Sequence, residues 1–96
     1  MSKIEQYTYV TTSCGPERTH SSVNDAVDWM AAYAVNNPNP CFSGKLWIYD
    51  KSGKLIGDIY LAGRYAKIMS GSNSPLVVSI CHAIYKAVRA SFSHAA

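Results

Sequence analysis

The sequence predicts a small α+β two-layer sandwich in the order β-α-β-β-α. A mainly antiparallel sheet of three to four strands would carry two helices on one face. Two stretches place apolar residues three and four positions apart, as in helices, and the stretches around them are rich in β-branched and aromatic residues. The 96 residues form a single domain, 1–96, because this length has room for one hydrophobic core.

The first strand is predicted at Ile4–Thr12, where Tyr, Thr and Val favour a pleated backbone. The Gly and Pro at positions 15 and 16 end it. Side chains alternate along a strand, so Tyr7 and Tyr9 share one face. We expect that face to point away from the helices.

The first helix is predicted to begin after Ser22, whose hydroxyl can accept a hydrogen bond from the backbone three residues on. Asp25 could answer with its carboxylate, as in a variant capping box. The residues between 36 and 40 end the helix, because each Pro lacks an N–H and restricts its predecessor. The apolar stripe comprises Val23, Ala26, Val27, Met30 and Ala34.

A hairpin is predicted where Asp50-Lys51-Ser52-Gly53 joins the strands Lys45–Asp50 and Lys54–Ala62. Alternation gives each strand two faces. The core face would hold Leu46, Ile48, Leu55, Ile59 and Leu61. The opposite face would hold Trp47, Tyr49, Ile56, Asp58 and Tyr60. A further strand at Arg64–Met69 would extend the sheet.

The second helix is predicted to start at Ser74-Pro75, since Ser suits the N-cap and Pro the first turn. Its apolar stripe comprises Val77, Ile80, Cys81, Ile84, Val88 and Phe92. His82, Lys86 and Arg89 follow at spacings of four and three on the polar side, where they form a basic row.

If both helices cover one face of the sheet, aromatic side chains remain on the other. The predicted aromatic sheet face comprises Tyr7, Tyr9, Trp47, Tyr49 and Tyr60. Three interpretations stay open: another part of the chain covers it, a protein docks on it, or it stacks the bases of a single-stranded nucleic acid. The basic-Gly-aromatic run of sheet-type RNA binders is absent from the sequence, which weakens the third.

Charge is uneven along the chain. The formal net charge is +3, and residues 45–96 hold seven of the nine Lys and Arg but two of the six acids. This half could attract an anionic partner, although scattered Lys and Arg also serve solubility. The predicted basic surface comprises Lys51, Lys54, Arg64, His82, Lys86 and Arg89.

The sequence carries no recognisable catalytic or cofactor-binding pattern. The three cysteines are far apart, with no Cys-x-x-Cys pair, so neither a zinc site nor a disulfide framework is expected. Cys14 and His20 could act as nucleophile and base only if the fold joined them. Asp25 and Asp28 more simply complement a helix dipole. We therefore expect no enzyme, no metal and no cofactor, with a thiol-dependent enzyme as the remote alternative.

In size and layout the chain resembles the small accessory proteins of phages and mobile elements, including anti-CRISPR proteins. That resemblance implies a non-enzymatic protein that occludes a protein or ribonucleoprotein complex of a host, and it transfers no functional residue. The alternative is a nucleic-acid-binding module, and a homodimer would also occupy the aromatic face. We find neither a signal peptide nor a membrane span in the sequence, so we expect the cytoplasm of its own or a host cell, and no membrane partner.

Overall fold

Five strands and two helices make up the computed structural model, which describes residues 7–13, 16–36, 44–62, 65–71 and 73–95. The strands form one sheet in the order β2-β1-β3-β4-β5, with every neighbouring pair antiparallel. The elements in chain order are β1 (Thr8–Thr12), β2 (Arg18–His20), α1 (Val23–Asn36), β3 (Lys45–Tyr49), β4 (Leu55–Ala62), β5 (Tyr65–Ser70) and α2 (Pro75–Ala95).

The predicted α+β class is confirmed, but the sheet has more strands than expected. The extension predicted at Arg64–Met69 is β5. The additional strand is β2, which pairs with β1 at one edge of the sheet. Three residues are too few for an alternating pattern to be recognised in a sequence, so β2 was missed.

Both helices pack against the same side of the sheet, and the hydrophobic core lies between the two layers. The predicted stripes of α1 and α2 supply one wall of the core, and alternating residues of the strands supply the other. The largest fully buried apolar side chains are Met30, Leu46, Ile48, Ile59, Leu61, Val77, Ile84 and Val88.

The helices begin where the sequence predicts. The Ser22 hydroxyl accepts from the Asp25 N–H at 3.2 Å, and the Ser74 hydroxyl accepts from the Val77 N–H at 3.4 Å. The capping role predicted for the Asp25 side chain is not what the structure has, because that carboxylate binds His20 instead. The Asp25 side chain therefore links the start of α1 to β2.

The hairpin turn between β3 and β4 is also confirmed, and it is built around one carboxylate. Asp50 Oδ1 accepts from the Ser52 hydroxyl at 2.7 Å, the Ser52 N–H at 2.9 Å and the Lys54 N–H at 3.0 Å. Gly53 takes a φ of 90°, which favours glycine. The Ser52 hydroxyl first, and then the Lys54 N–H, hold the pKa of Asp50 below its usual value.

Replacing Asp50 with alanine is expected to lower the Tm at neutral pH. A carboxyl whose pKa is lowered by folding stabilises the protein above its unfolded pKa, and this stabilisation is lost as the pH falls through the folded pKa. The difference in Tm from the wild type should therefore shrink below about pH 4. Thermal unfolding at a series of pH values measures this, with Glu17→Ala, which removes an exposed carboxylate outside the helices, as the control. A difference that stays constant across the series would contradict the prediction.

A bulge changes the facing of the residues at the start of β4. The register between β3 and β4 shifts after Ile48, so Tyr49 pairs with Leu55. The prediction that Leu55 belongs to the core is wrong, since it is exposed, and Ile56, predicted on the opposite face, packs against the core. An extra residue in one strand breaks the two-residue alternation on which both assignments depended.

Candidate functional site

The side of the sheet turned away from the helices carries three aromatic rings, and we call it the open face. Val10 of β1 lies opposite Trp47 of β3, which lies opposite Asp58 of β4. Among the described elements, none lies over this side, because both helices pack on the other. The open face comprises Thr8, Val10, Thr12, Lys45, Trp47, Tyr49, Asp58, Tyr60 and Lys67.

One row across the open face places an aromatic ring between two lysines. Tyr60 pairs with Lys45 on one side and with Lys67 on the other. Both lysines are exposed, and Tyr60 is half-buried. Neighbouring strands lie about 4.8 Å apart, so both ammonium groups can reach a group seated on the Tyr60 ring.

The next row contains the indole and the acidic residue of the open face. Trp47 is half-buried, and Val10 beside it is buried, although Val10 is outside the cluster between sheet and helices. The Ser70 hydroxyl donates to Asp58 Oδ1 at 2.6 Å. A hydrogen bond satisfies part of the capacity of that carboxylate. The open face has two lysines, Lys45 and Lys67, against this one acid.

Tyr7 and Tyr9 do not belong to the open face, and this part of the predicted aromatic sheet face is wrong. Tyr9 pairs with Ile48 and is 7% exposed among the core residues, while Tyr7 packs partly against the same core. Burial raises the pKa of Tyr9. Alternation shows which residues share a face, but the pairing register decides which face meets the helices. Trp47, Tyr49 and Tyr60 remain as predicted.

The predicted basic surface is divided between two places. Lys51 and Lys54 are exposed in the turn between β3 and β4. Arg64 lies outside the described residues. His82, Lys86 and Arg89 are exposed on α2. Because α2 packs on the core side of the sheet, the basic row and the open face lie on opposite sides of the molecule.

Part of the basic row is engaged within its own helix. Arg89 Nη1 donates to the Tyr85 hydroxyl at 3.3 Å, and its guanidinium lies 5.5 Å from the centre of that ring. Tyr85 in turn stacks on Tyr65 of β5 at a centroid distance of 6.3 Å. These contacts tie α2 to the edge of the sheet, which gives Arg89 a structural role besides its charge.

A chain of hydrogen bonds through His20 of β2 joins β1 to α1, and the sequence analysis missed it. Its Nε2 lies 2.7 Å from Thr11 Oγ1, and its Nδ1 lies 2.7 Å from Asp25 Oδ2. An ionised carboxylate can only accept, so the Nδ1 hydrogen of His20 is donated to Asp25. The chain links β1, β2 and the first turn of α1.

The hydroxyl–imidazole–carboxylate order resembles that of a catalytic triad, but the position of the hydroxyl argues against catalysis. A cleft of about 790 Å³ beside β2 is lined by His20, Asp25 and Lys51, whereas Thr11 does not line it. Thr11 is 0% exposed, so no substrate carbonyl can approach its oxygen. This chain of hydrogen bonds acts as a structural link between β1, β2 and α1.

The thiols and the remaining features add little chemistry. Cys81 lies on the core side of α2, where its Sγ is 3.4 Å from the Ala66 carbonyl oxygen and burial raises its pKa. Cys14, weighed as a partner for His20, lies outside the described residues. Within those residues, no cluster of His, Cys, Asp and Glu could hold a metal ion.

The described ranges contain two helices, α1 and α2. Neither α1 nor α2 is long and apolar enough to cross a bilayer.

Lys67 is a charged residue of the open face that the sequence analysis did not place. The alternation of Tyr65, Lys67 and Met69 with Ala66 and Ile68 was visible, and it separates the core side from the other side. Ile68 and Ala66 pair with Ile59 and Leu61, whose side chains are buried. Pairing the apolar side of β5 with that of β4 would therefore have placed Lys67 beside Tyr60.

The fold and the site together define a small two-layer α+β protein with an aromatic and cationic open sheet face. Comparisons with protein families, with curated proteins and with solved structures found no match for this chain.

Proposed function

We propose that this chain is a non-enzymatic binding protein. It works by laying its open face against a larger macromolecule and so occluding that surface. In its most concrete form it is an inhibitor from a phage or mobile element, and its target is a protein or ribonucleoprotein complex in the cytoplasm of its own or a host cell.

The observation that carries this proposal is the group of three aromatic side chains on a side of the sheet without a helix. A sheet face exposed to water normally presents polar residues. Trp47, Tyr49 and Tyr60 instead occupy β3 and β4, where they remain partly exposed. Tyr and Trp are over-represented among the residues that dominate binding energy, because they supply contact area at low entropic cost.

The buried position of Thr11 supports a non-enzymatic role. The hydrogen-bonded chain that most resembles a catalytic device has its hydroxyl inside the core. The same chain of hydrogen bonds has a sufficient structural explanation, because it gives hydrogen-bond partners to the buried side chains of Thr11 and His20.

A face-dependent capture experiment tests the proposal. We expect the wild type to retain a stoichiometric partner from a lysate of the cells in which it acts, and Trp47→Thr with Tyr60→Thr to lose it at least about tenfold. Val78→Thr is the matched control, because it removes an apolar side chain that is 47% exposed on α2, on the opposite side of the molecule from the open face. Mass spectrometry identifies the partner, and Tm measurements check that each variant is folded.

The outcomes separate the alternatives. Loss of the partner from the double variant alone supports the proposal. Equal retention by all three proteins, or no stoichiometric partner for the wild type, overturns it. Light scattering shows whether the occupant is a second copy: in that case the wild type is a dimer and the double variant a monomer.

A further inference from the structure

We propose that the occupant of the open face is a single-stranded nucleic acid, whose bases stack on Tyr60, Trp47 and Tyr49 and whose phosphates meet Lys45 and Lys67. The inference rests on the proposed function and names the chemistry of the partner. It commits to the nucleic acid of a ribonucleoprotein or a free strand rather than to a protein surface.

The spacing of the three rings suits an unstacked strand. Trp47 and Tyr49 are two residues apart on β3, which is about 7 Å at the rise of a β-strand. Trp47 pairs directly with Asp58, and Tyr60 lies two residues further along β4. Side chains in such diagonal positions are about 7–8 Å apart. Bases of a duplex strand are about 3.4 Å apart, so neighbouring bases must separate to occupy these rings. Single strands allow this, and duplexes do not.

The charges on the open face are placed where phosphates would lie. Lys45 and Lys67 flank Tyr60 directly in the register of the sheet. A base stacked on the Tyr60 ring therefore brings its two neighbouring phosphates towards ammonium groups on both sides. The acid on the face, Asp58, accepts a hydrogen bond from Ser70, and the turn beyond Tyr49 adds Lys51 and Lys54.

The same arrangement is unfavourable for a protein interface. Lysine is depleted from the cores of protein–protein interfaces, because its strongly hydrated ammonium group resists burial. Here two exposed lysines enclose one of the three rings, and threonines occupy the adjoining positions on β1. A polyanion gains from these lysines without burying them.

Fluorescence anisotropy with labelled 12-nucleotide oligo-U and oligo-dT, at two or more salt concentrations, tests the inference. We expect the wild type to bind a single strand, and Tyr60→Ala to bind it roughly 5- to 150-fold more weakly. Lys45→Ala and Lys67→Ala should each reduce the slope of log K against log salt by about 0.7. The two oligonucleotides show whether RNA or DNA is preferred.

Lys86→Ala on α2 is the matched control. It removes the same charge from the opposite side of the molecule, so its salt slope and affinity should equal those of the wild type. A reduced slope for Lys86→Ala with unchanged slopes for the open-face lysines overturns the inference. The lysine variants alter exposed side chains, so they remain interpretable if Tyr60→Ala is unfolded.

The two proposals fail in different ways. No binding of either oligonucleotide by the wild type at low salt overturns the nucleic-acid inference. If the capture experiment still yields a nuclease-resistant protein partner that depends on Trp47 and Tyr60, the proposed function stands with a protein as the occupant. If both experiments are negative, both proposals are overturned.

Discussion

Replacing His20 with alanine is expected to lower the free energy of unfolding by about 2–4 kcal/mol. His20 is 7% exposed, so its removal leaves a cavity between β1 and α1. The larger penalty arises at Thr11, whose hydroxyl is fully buried and lies 2.7 Å from the lost Nε2. A buried hydroxyl without a partner costs about 1–3 kcal/mol.

A double-mutant cycle in urea or guanidinium measures the coupling between these residues. Thr11→Val removes the hydroxyl and keeps the shape, so the pair Thr11→Val with His20→Ala should cost at least about 1 kcal/mol less than the sum of the single variants. Asp25→Asn is the comparison at the other end of the chain, where the side chain is 68% exposed, and it should cost less than about 1 kcal/mol. Additive single effects would refute the link.

Replacing Gly57 with alanine is expected to destabilise the protein by about 1–3 kcal/mol, because it forces the sheet and α2 apart. Gly57 pairs with Ile48 at the centre of the sheet and faces the first turn of α2. A Cβ at this position would lie 2.5 Å from Val77 Cγ2 and 3.0 Å from the Ser70 carbonyl oxygen. Val77 is fully buried and β-branched in a helix, so its side chain has no alternative rotamer into which to move.

The steric origin of this effect can be separated from backbone effects. Val77→Ala makes room for the new methyl group, so Gly57→Ala should cost less in a Val77→Ala background than in the wild type. Gly53→Ala is the control for backbone strain alone, because its φ is 90° and no heavy atom lies within 4 Å of its added Cβ. Equal costs for Gly57→Ala in the two backgrounds would show that Val77 is not the obstacle. Chemical denaturation gives all of these values.

The helices and the hairpin were predictable because their signals are local. Ser22 and Ser74 cap the helices that follow them, and Asp50 and Gly53 form the turn between β3 and β4 as their types require. Each of these interactions joins residues no more than four positions apart. They depend on backbone geometry that the neighbouring residues impose, and no distant part of the chain is needed.

The candidate site was predictable in part. Trp47, Tyr49 and Tyr60 lie on the open face because the hairpin sets their alternation relative to Leu46 and Ile59. Tyr7 and Tyr9 were placed on the wrong side, because their strand pairs with β3 across a long stretch of chain and its register is not a local property. Lys67 and His20 lie in strands that pair with their neighbours along the chain, but β2 is too short to be recognised and the facing of β5 was left unassigned.

The amino-acid order alone was sufficient for the α+β class, the helix starts, the turn, and the two faces of β3 and of β4 beyond its bulge. The long-range pairing of β1 with β3 assigned Tyr9 to the core. Pairing between neighbouring strands enclosed Tyr60 between Lys45 and Lys67, and the packing of α1 beside β1 and β2 brought Thr11, His20 and Asp25 into one chain of hydrogen bonds. The physical reason is the range of the forces involved. Capping and turn formation are settled within one turn of backbone, whereas strand register depends on which distant apolar surfaces are buried together when the sheet and helices meet.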